Sequence, residues 1–297
     1  MLQAADVVFG YGAEPVLRGV SLAVHPGEFV GILGPNGSGK TTLLKLLAGT
    51  LRPAGGTVRV DGVALSSIPR AALARRMAVV PQETHVAFDF SVLEIALMGR
   101  YPHLGAFEIE GPRDFEIARA ALAATGTLQF QDRPFMTLSG GEKQRVVVAT
   151  ALAQIDPFDS RDRSIGQGKR PDAPCILLLD EPTAALDLRY QIGLASLLRE
   201  LQARFPITIV VSTHDLNFAA SVCRSLVLLE SGRVLASGPL DDVLTPAHVR
   251  ALYGVDADVQ RHPASGRLVV VPLAAGEGAH HLQERGTPAA ADPGAQA

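Results

Sequence analysis

Residues 34–41 combine glycines, a lysine and a threonine at the spacing of a phosphate-binding loop. The stretch fits the pattern G-x-x-x-x-G-K-[ST] and reads Gly34, Pro35, Asn36, Gly37, Ser38, Gly39, Lys40 and Thr41. The glycines let successive backbone N–H groups point inward as an anion nest. Lys40 adds a charge for the β- and γ-phosphates, and the Thr41 hydroxyl is the expected Mg²⁺ ligand. An apolar run precedes the stretch and a helical pattern follows it, as in known phosphate-binding loops. We therefore predict a nucleoside triphosphate site that continues to Thr42. The alternative is a glycine-rich turn that contains a lysine by chance.

Two adjacent carboxylates, Asp180 and Glu181, follow a continuous apolar run at residues 175–179. Such a run is typical of a strand buried in a parallel sheet, and ligands of these sheets lie beyond the carboxyl ends of the strands. Asp180 would hold Mg²⁺, directly or through water, while Glu181 would polarise an attacking water as a general base. The structural alternative is a pair of acids at a helix N-terminus.

Two more polar side chains, Gln82 and His214, follow predicted strands at residues 77–80 and 207–213. The Gln82 amide could reach Mg²⁺ and a water, and His214 could donate a hydrogen bond to a γ-phosphate. Taken alone, a solvated loop glutamine and a packing histidine are the commoner interpretations. Their position on the same predicted edge of the sheet favours a catalytic role for both.

A second anion site is predicted where Ser139 opens a long helix. Glu142 completes a capping box with Ser139, and the consecutive Gly140 and Gly141 leave bare N–H groups at the positive helix end. A capped helix start without a ligand is the alternative. Tyr11 lies in a turn ahead of the phosphate loop and could stack on adenine, although plain packing is the commoner role of such a tyrosine.

These residues require an α/β fold in which strands alternate with helices. Residues 3–30 are predicted to form antiparallel strands, 226–238 a hairpin with a Ser-Gly turn, 242–253 a short helix and 255–272 a further hairpin. Residues 84–137 have a helical period and predict an inserted helical subdomain. Near its start, four large side chains could either contact a partner or pack in a core: Phe88, Phe90, Arg100 and Tyr101.

The resulting domain organisation has one main unit over residues 1–254, with the helical subdomain at about 84–150. Residues 156–174 are rich in Pro, Gly, Ser and charge and predict a mobile insertion. Residues 255–274 form a predicted C-terminal hairpin extension. From residue 275 to 297 the composition predicts a disordered tail.

Composition excludes several classes of protein. The chain has 297 residues, 47% of them hydrophobic, a formal net charge of −3 and a pI near 6.2, which argues against a nucleic-acid partner. The longest apolar runs have the length of strands, and no secretory signal opens the chain. Cys175 and Cys223 are expected to be buried small hydrophobes, so we expect a soluble protein of the reducing cytosol.

The order and spacing of these motifs resemble the ATP-binding subunit of an ABC transporter over residues 1 to about 254. The resemblance implies a P-loop NTPase (RecA-like) core with an antiparallel β subdomain and an inserted helical subdomain. It identifies Tyr11 with the adenine-stacking aromatic, residues 139–144 with the signature, Asp187 with the D-loop and His214 with the switch histidine.

The resemblance also implies cofactors and partners. ATP and Mg²⁺ would bind, and two copies would form a head-to-tail homodimer in which the helix at Ser139 closes over ATP held by Lys40 of the other copy. Polytopic membrane permease subunits would be moved by this closure, with a substrate-binding protein acting indirectly. The subunit would be peripheral, on the cytoplasmic face of the inner membrane.

Three stretches, at residues 80–83, 88–92 and 98–103, look like those of importers for iron-siderophore, haem and vitamin B12. We therefore predict an ATP-hydrolysing subunit that powers transport of an iron chelate, haem or cobalamin through a separate permease. Alternatives are a transporter of another substrate and a soluble ABC ATPase acting on ribosomes or DNA, although such proteins usually carry two cassettes or a long coiled-coil insertion. A regulator without turnover is disfavoured because Glu181 and His214 are both present.

Overall fold

The computed structural model describes residues 1–84, 88–158, 175–184 and 186–275, and the structural statements below concern these residues. Most of the predicted mobile insertion, residues 159–174, lies outside them. The predicted disordered tail also lies outside them from residue 276 onward. Both expectations therefore stay predictions.

Strands and helices alternate along the described chain. The strands are β1 (Leu2–Phe9), β2 (Leu17–Val24), β3 (Phe29–Leu33), β4 (Gly55–Val60), β5 (Val63–Ala64), β6 (Met77–Val80), β7 (Cys175–Asp180), β8 (Ile207–Thr213), β9 (Ser225–Glu230), β10 (Arg233–Pro239), β11 (Val255–Arg261) and β12 (Leu268–Ala275). The α-helices are α1 (Lys40–Leu47), α2 (Arg70–Ala74), α3 (Val92–Met98), α4 (Pro112–Ala124), α5 (Gly140–Ile155), α6 (Leu188–Arg204), α7 (Leu216–Val222), α8 (Leu240–Val243) and α9 (Pro246–Tyr253).

A six-stranded sheet forms the centre of the fold, in the order β10-β9-β3-β8-β7-β6. Strands β9, β3, β8, β7 and β6 run parallel, and β10 pairs antiparallel with β9. Side chains alternate between two cores: Phe29 and Leu33 pack with the helices α3 to α7, whereas Val30 and Ile32 pack with α1 and the first strands. The carboxyl ends of β3, β6, β7 and β8 consequently meet at one edge, where the predicted site residues follow them.

The second sheet is antiparallel, in the order β2-β1-β4-β5, and covers α1. It confirms the antiparallel strands predicted for residues 3–30. Both predicted hairpins are also confirmed, as β9–β10 around the Ser231-Gly232 turn and as β11–β12. The last strand reaches Ala275, the first residue of the predicted tail, because Ala275 pairs with Val255.

The short helix predicted for residues 242–253 is present, but its start is wrong, because it begins at Pro246. The chain forms α8, breaks, and starts α9 at Pro246 with Thr245 as its N-cap. Thr245 is extended, with φ −122° and ψ 156°, which is the conformation favoured before a proline. The break follows from Pro246, which is tolerated in the first turn of a helix and disrupts a helix interior.

The helical region contains α3, α4 and α5, which pack on one another. Arg100, just after α3, joins the start of α4 to the end of α5; it is buried and therefore is not the partner-contact residue considered above. Arg100 pairs with Asp114 at 2.9 Å and Asp156 at 3.3 Å, and donates to the Ala153 carbonyl at 2.8 Å. Of the other large side chains, Phe88 and Tyr101 are exposed, at 72% and 59%.

The two cysteines, Cys175 and Cys223, are both buried in the main core. Burial raises the pKa of the Cys223 thiol, which keeps it protonated and inert. Both act as small core hydrophobes, as predicted.

Candidate nucleotide-binding site

The phosphate-loop stretch connects β3 to α1, as its flanks predict. Gly37 and Gly39 have φ of 79° and 104°, a region that favours glycine, and Gly39 is the N-cap of α1. A Cβ on Gly34 would lie 2.2 Å from the Leu229 carbonyl oxygen, so the strand–loop junction has no room for a side chain. Asn36 and Gly37 are exposed at the tip. Glycines therefore set the backbone shape of this loop.

Ser38 in this loop is 3% exposed, and its Oγ is buried without a hydrogen-bond partner in the described part of the chain. A buried hydroxyl without a partner is uncommon and costs free energy. A phosphate oxygen in the loop would satisfy it. The side chain therefore fits an anion at this position.

Lys40 is only 4% exposed, and three oxygens surround its ammonium. Its Nζ donates to the carbonyls of Gly34 at 2.9 Å and Pro35 at 3.1 Å, and pairs with Glu181 Oε1 at 3.1 Å. A buried charge requires such partners. The lysine therefore joins the phosphate loop to the carboxylate that follows β7.

Asp180 and Thr41 meet as the sequence predicts. Asp180 is buried, and its Oδ1 accepts hydrogen bonds from Thr41 Oγ1 at 3.0 Å and from Ser212 Oγ at 2.6 Å. Carboxylate and hydroxyl oxygens are suited to Mg²⁺. Ser212 escaped the sequence analysis, because it faces Asp180 only through the register of β7 and β8.

Glu181 uses both carboxylate oxygens within the site. Oε1 pairs with Lys40, and Oε2 lies 3.1 Å from Nδ1 of His214. The Glu181 backbone has a φ of 42°, unusual for a residue with a side chain, and its N–H donates to Ser212 O and Oγ, both at 3.1 Å. Backbone strain held by surrounding contacts is typical of functional sites.

Gln82 and Tyr11 lie at the periphery of this cluster. Gln82 is exposed just after β6, the neighbour of β7, and makes no hydrogen bond to Thr41 or Asp180. Tyr11 is 64% exposed, its ring stands edge-on to Phe9 with centroids 5.0 Å apart, and its hydroxyl lies 3.4 Å from Thr42 Oγ1. The tyrosine thus leaves much of its ring accessible beside the phosphate-loop helix.

The second predicted anion site is built as a helix start. Ser139 caps α5 and Glu142 completes the capping box; hydrogen bonds from the Ser139 N–H and hydroxyl hold the pKa of Glu142 below its ordinary value. The Tyr190 hydroxyl donates to Ser139 Oγ at 3.3 Å. A Cβ on Gly141 would lie 1.9 Å from the Tyr190 ring, so the glycine lets α5 and α6 approach.

The described hydrogen bonds of Ser139 at this helix start do not reach the phosphate loop of its own chain. The Ser139 N–H and hydroxyl bond to Glu142 and Tyr190, and the Ser139 carbonyl accepts from the Lys143 N–H at 2.9 Å. Tyr190 was missed by the sequence analysis, because its contact links residues 51 positions apart. The two predicted anion sites of the chain are therefore built from separate sets of hydrogen bonds.

Known proteins place this arrangement in a family. A family model described as ABC transporter matches residues 17–158. A hemin import ATP-binding protein of Gloeobacter violaceus is 43% identical over 92% of this chain and 94% of its own length. The chain belongs to the ABC transporter family. A hemin import ATP-binding protein of Bordetella pertussis is 40% identical over 91% of the chain and 98% of its own length.

Solved structures agree with this assignment. A metal-chelate type ABC transporter in an inward-facing conformation has a TM-score of 0.76 at 29% identity, covering 92% of this chain and 96% of its own. A bacterial ABC transporter cassette solved as a dimer has a TM-score of 0.65 at 28% identity, covering 81% and 99%. The expected P-loop NTPase core with its antiparallel β and helical parts is therefore confirmed.

Membership of the ABC transporter family defines the general activity. ABC ATP-binding subunits bind and hydrolyse ATP to power transport, and they act as dimers with membrane permeases. In the part of this chain that the structure describes, none of the helices has the length and apolar character needed to span a bilayer.

Proposed function

We propose that this chain is the ATP-hydrolysing subunit of an importer for an iron chelate, haem or cobalamin, and that it drives a separate polytopic permease. The contacts of Glu181 support the proposed ATP hydrolysis, because its carboxylate bridges Lys40 and His214 at the carboxyl end of β7. The names of relatives support the cargo class: two are hemin import proteins. A third, 39% identical over 87% of this chain and 60% of its own length, is a cobalamin import protein of Halobacterium salinarum.

Nucleotide binding follows from the shape of the loop. The backbone N–H groups of residues 34–41 and the N-terminus of α1 would hold the phosphates, with Lys40 as the fixed cation. The partnerless Ser38 hydroxyl would donate to a phosphate oxygen. The exposed ring of Tyr11 would stack on adenine.

The donor atoms fit Mg²⁺. Thr41 Oγ1 and Asp180 Oδ1 already lie 3.0 Å apart, and both are hard oxygen ligands. Gln82, at the end of the neighbouring strand, would supply an amide oxygen. Mg²⁺ bound by these residues would neutralise charge on the transferred phosphoryl group.

Hydrolysis assigns separate roles to Glu181 and His214. A water oxygen attacks the γ-phosphorus, the bond to the β–γ bridging oxygen breaks, and the water proton passes to the Glu181 carboxylate. His214 orients that carboxylate through its 3.1 Å contact and donates to the γ-phosphate from its other ring nitrogen. Lys40 stabilises the charge that develops on the phosphate oxygens.

Two copies would form each complete site. The Ser139-Gly140-Gly141 helix start of one copy would cap ATP on the phosphate loop of the other, since the described hydrogen bonds of Ser139 stay within α5 and α6. The exposed Phe88 and Tyr101 would contact the permease on the cytoplasmic face of the inner membrane. A substrate-binding protein would deliver cargo to the permease and act on this subunit indirectly.

The enzymatic part is tested by ATP turnover of Glu181→Gln, with Glu200→Gln as the control because Glu200 is exposed on α6. Loss of the general base should lower kcat by about 10²- to 10⁴-fold while ATP still binds. The control should match the wild type. Unchanged turnover in Glu181→Gln would remove Glu181 as the base.

The permease is tested by capture from native membranes with Glu181→Gln loaded with ATP·Mg²⁺. A polytopic permease should copurify, and Lys40→Ala should capture less because it binds nucleotide weakly. Recovery of ribosomal or DNA-repair components without a membrane protein would favour a soluble ABC ATPase.

A further inference from the structure

Tyr253, the last residue of α9, reaches back to the catalytic edge of the central sheet. Its hydroxyl donates to the backbone carbonyl of His214 at 3.3 Å. The ring is partly buried and packs against the main core. Gly254 follows with a φ of 65° as the helix C-cap, so α9 ends at the point where Tyr253 meets the site.

The surroundings of Tyr253 belong to the nucleotide site. Burial raises the pKa of its hydroxyl, the nearby carboxylates of Asp215 and Glu181 raise it further, and a backbone hydrogen bond with Gly34 opposes them. The hydroxyl therefore stays protonated and acts as a donor throughout the neutral range. It lies between the first glycine of the phosphate loop and the histidine loop.

A second contact holds the same segment from the C-terminal hairpin. The Asn217 side chain accepts from the Val270 N–H at 2.8 Å and donates to the Val270 carbonyl at 3.2 Å. Asn217 lies in the first turn of α7, whose N-cap Asp215 directly follows His214. The hairpin β11–β12 is thus hydrogen-bonded to α7, the helix that begins directly after His214.

His214 needs such external support. Its side chain is 49% exposed, and the described contact that places its imidazole is the one to Glu181. An exposed side chain keeps its rotamer freedom unless its backbone and partners are fixed. Contacts that fix the His214 backbone therefore raise the fraction of time in which the imidazole contacts the Glu181 carboxylate.

We propose that Tyr253 is a positioning residue, which with the Asn217–Val270 pair holds the His214 loop so that the imidazole stays on Glu181. The C-terminal segment then supports ATP hydrolysis without touching the nucleotide. The inference rests on the proposed catalytic role of His214.

The test measures kcat and KM for ATP in wild type, Tyr253→Phe, His214→Ala and the double variant, by steady-state kinetics with ATP in excess over enzyme. Tyr253→Phe removes one hydrogen bond and should lower kcat about threefold to tenfold with little change in KM. In the His214→Ala background the same substitution should have no further effect, because nothing remains for Tyr253 to position. Asn217→Ala should behave in the same way.

The controls separate positioning from folding. Leu273→Ala changes an exposed side chain of the same hairpin and should keep the wild-type kcat. If Tyr253→Phe lowers kcat equally in both backgrounds, or leaves it unchanged, the proposal is wrong. An unchanged kcat in His214→Ala alone would instead overturn the catalytic role of the histidine. If Tyr253→Phe unfolds, Asn217→Ala in the same cycle decides between these outcomes.

Discussion

The Lys40 ammonium is surrounded by three oxygen atoms of the chain, and phosphate oxygens of bound ATP would be further partners or would take the place of some of these. In the structure it contacts two loop carbonyls and Glu181 at 2.9 to 3.1 Å. This geometry orients the lysine before a ligand arrives and keeps Glu181 near the phosphate loop. We therefore expect Lys40 to determine nucleotide affinity, because a buried cation attracts an anion more strongly than an exposed one does.

Lys40→Ala should weaken ATP binding about 10- to 100-fold, the range expected for losing hydrogen bonds to a charged group. Lys45→Ala is the matched control, since Lys45 is exposed on the same helix α1. Titration calorimetry with ATP·Mg²⁺ measures both affinities. Retained affinity in Lys40→Ala would contradict the assignment of the phosphate loop.

At the scale of elements, α5 and α6 are held together where Gly141 meets Tyr190. Tyr190 also contacts Ser139, so one side chain joins the second anion feature to the helix that Asp187 caps. The close approach of α5 and α6 requires a glycine at position 141. The neighbouring Gly140 has open space around it.

Gly141→Ala should lower the free energy of unfolding by about 1–3 kcal/mol, because its methyl group would overlap the Tyr190 ring. Gly140→Ala should leave stability within about 0.5 kcal/mol of the wild type. Urea unfolding of both variants measures the difference. If Gly141→Ala and Gly140→Ala were equally stable, the packing of α5 on α6 would not depend on the contact between Gly141 and Tyr190.

The ion pair between Arg100 and Asp114 in the helical region predicts that the free energy of unfolding depends on pH. Burial alone would raise the pKa of Asp114, but hydrogen bonds from Arg100 and the Gly111 N–H, with the Arg100 charge, lower it below its ordinary value of 3.8. A lowered folded-state pKa means that the charged carboxylate stabilises the fold above the ordinary pKa and loses that effect as pH falls through the folded value.

Asp114→Asn should therefore lower the free energy of unfolding by about 1–3 kcal/mol at pH 7, with the deficit shrinking below about pH 4. Asp132→Asn, at an exposed position, is the control and should show neither effect. Urea unfolding across this pH range measures both. A deficit that is constant with pH would exclude the Asp114 charge as its source.

At the scale of the whole molecule, one chain carries a phosphate loop and a separate capped helix start. A symmetric head-to-tail pair would complete two sites, each with one feature from either copy. Mixed dimers test this arrangement, because defects carried on different copies would fall in the same site.

Lys40→Ala and Gly140→Asp should each be inactive, the second because a carboxylate would stand where phosphates bind. Position 140 has space for the side chain, and an acid suits a helix N-terminus, so the fold should tolerate it. Mixing the two variants should restore about a quarter of the wild-type ATPase rate, since half the dimers would have one intact site. No restoration would contradict the head-to-tail arrangement.

The sequence predicts the parts of the site that coincide with strand ends. Asp180, Glu181 and His214 follow apolar runs, and a parallel sheet brings such ends to one edge, so their proximity is foreseeable. The break before Pro246, which our sequence analysis missed, also has a local signal, because Thr245 and Pro246 are typical of the first residues of a new helix.

Other contacts depend on packing that a single sequence does not encode locally. Ser212 reaches Asp180 because β8 lies between β3 and β7, and strand order is not visible in the motifs. Tyr190 and Tyr253 contact the site across long sequence separations, and neither stands in a recognisable pattern. Tertiary packing, rather than local propensity, places these three residues.

Import of an iron chelate, haem or cobalamin should depend on ATP hydrolysis by this chain. The most direct measurement is uptake of labelled haem, ferric siderophore and cobalamin by cells whose chromosomal copy carries Glu181→Gln, compared with cells carrying the Glu200→Gln control. Uptake of one of these compounds should fall to background in the Glu181→Gln cells, while uptake of an unrelated amino acid stays unchanged. Wild-type uptake of all three compounds in the Glu181→Gln cells would show that ATP hydrolysis by this chain does not power their import.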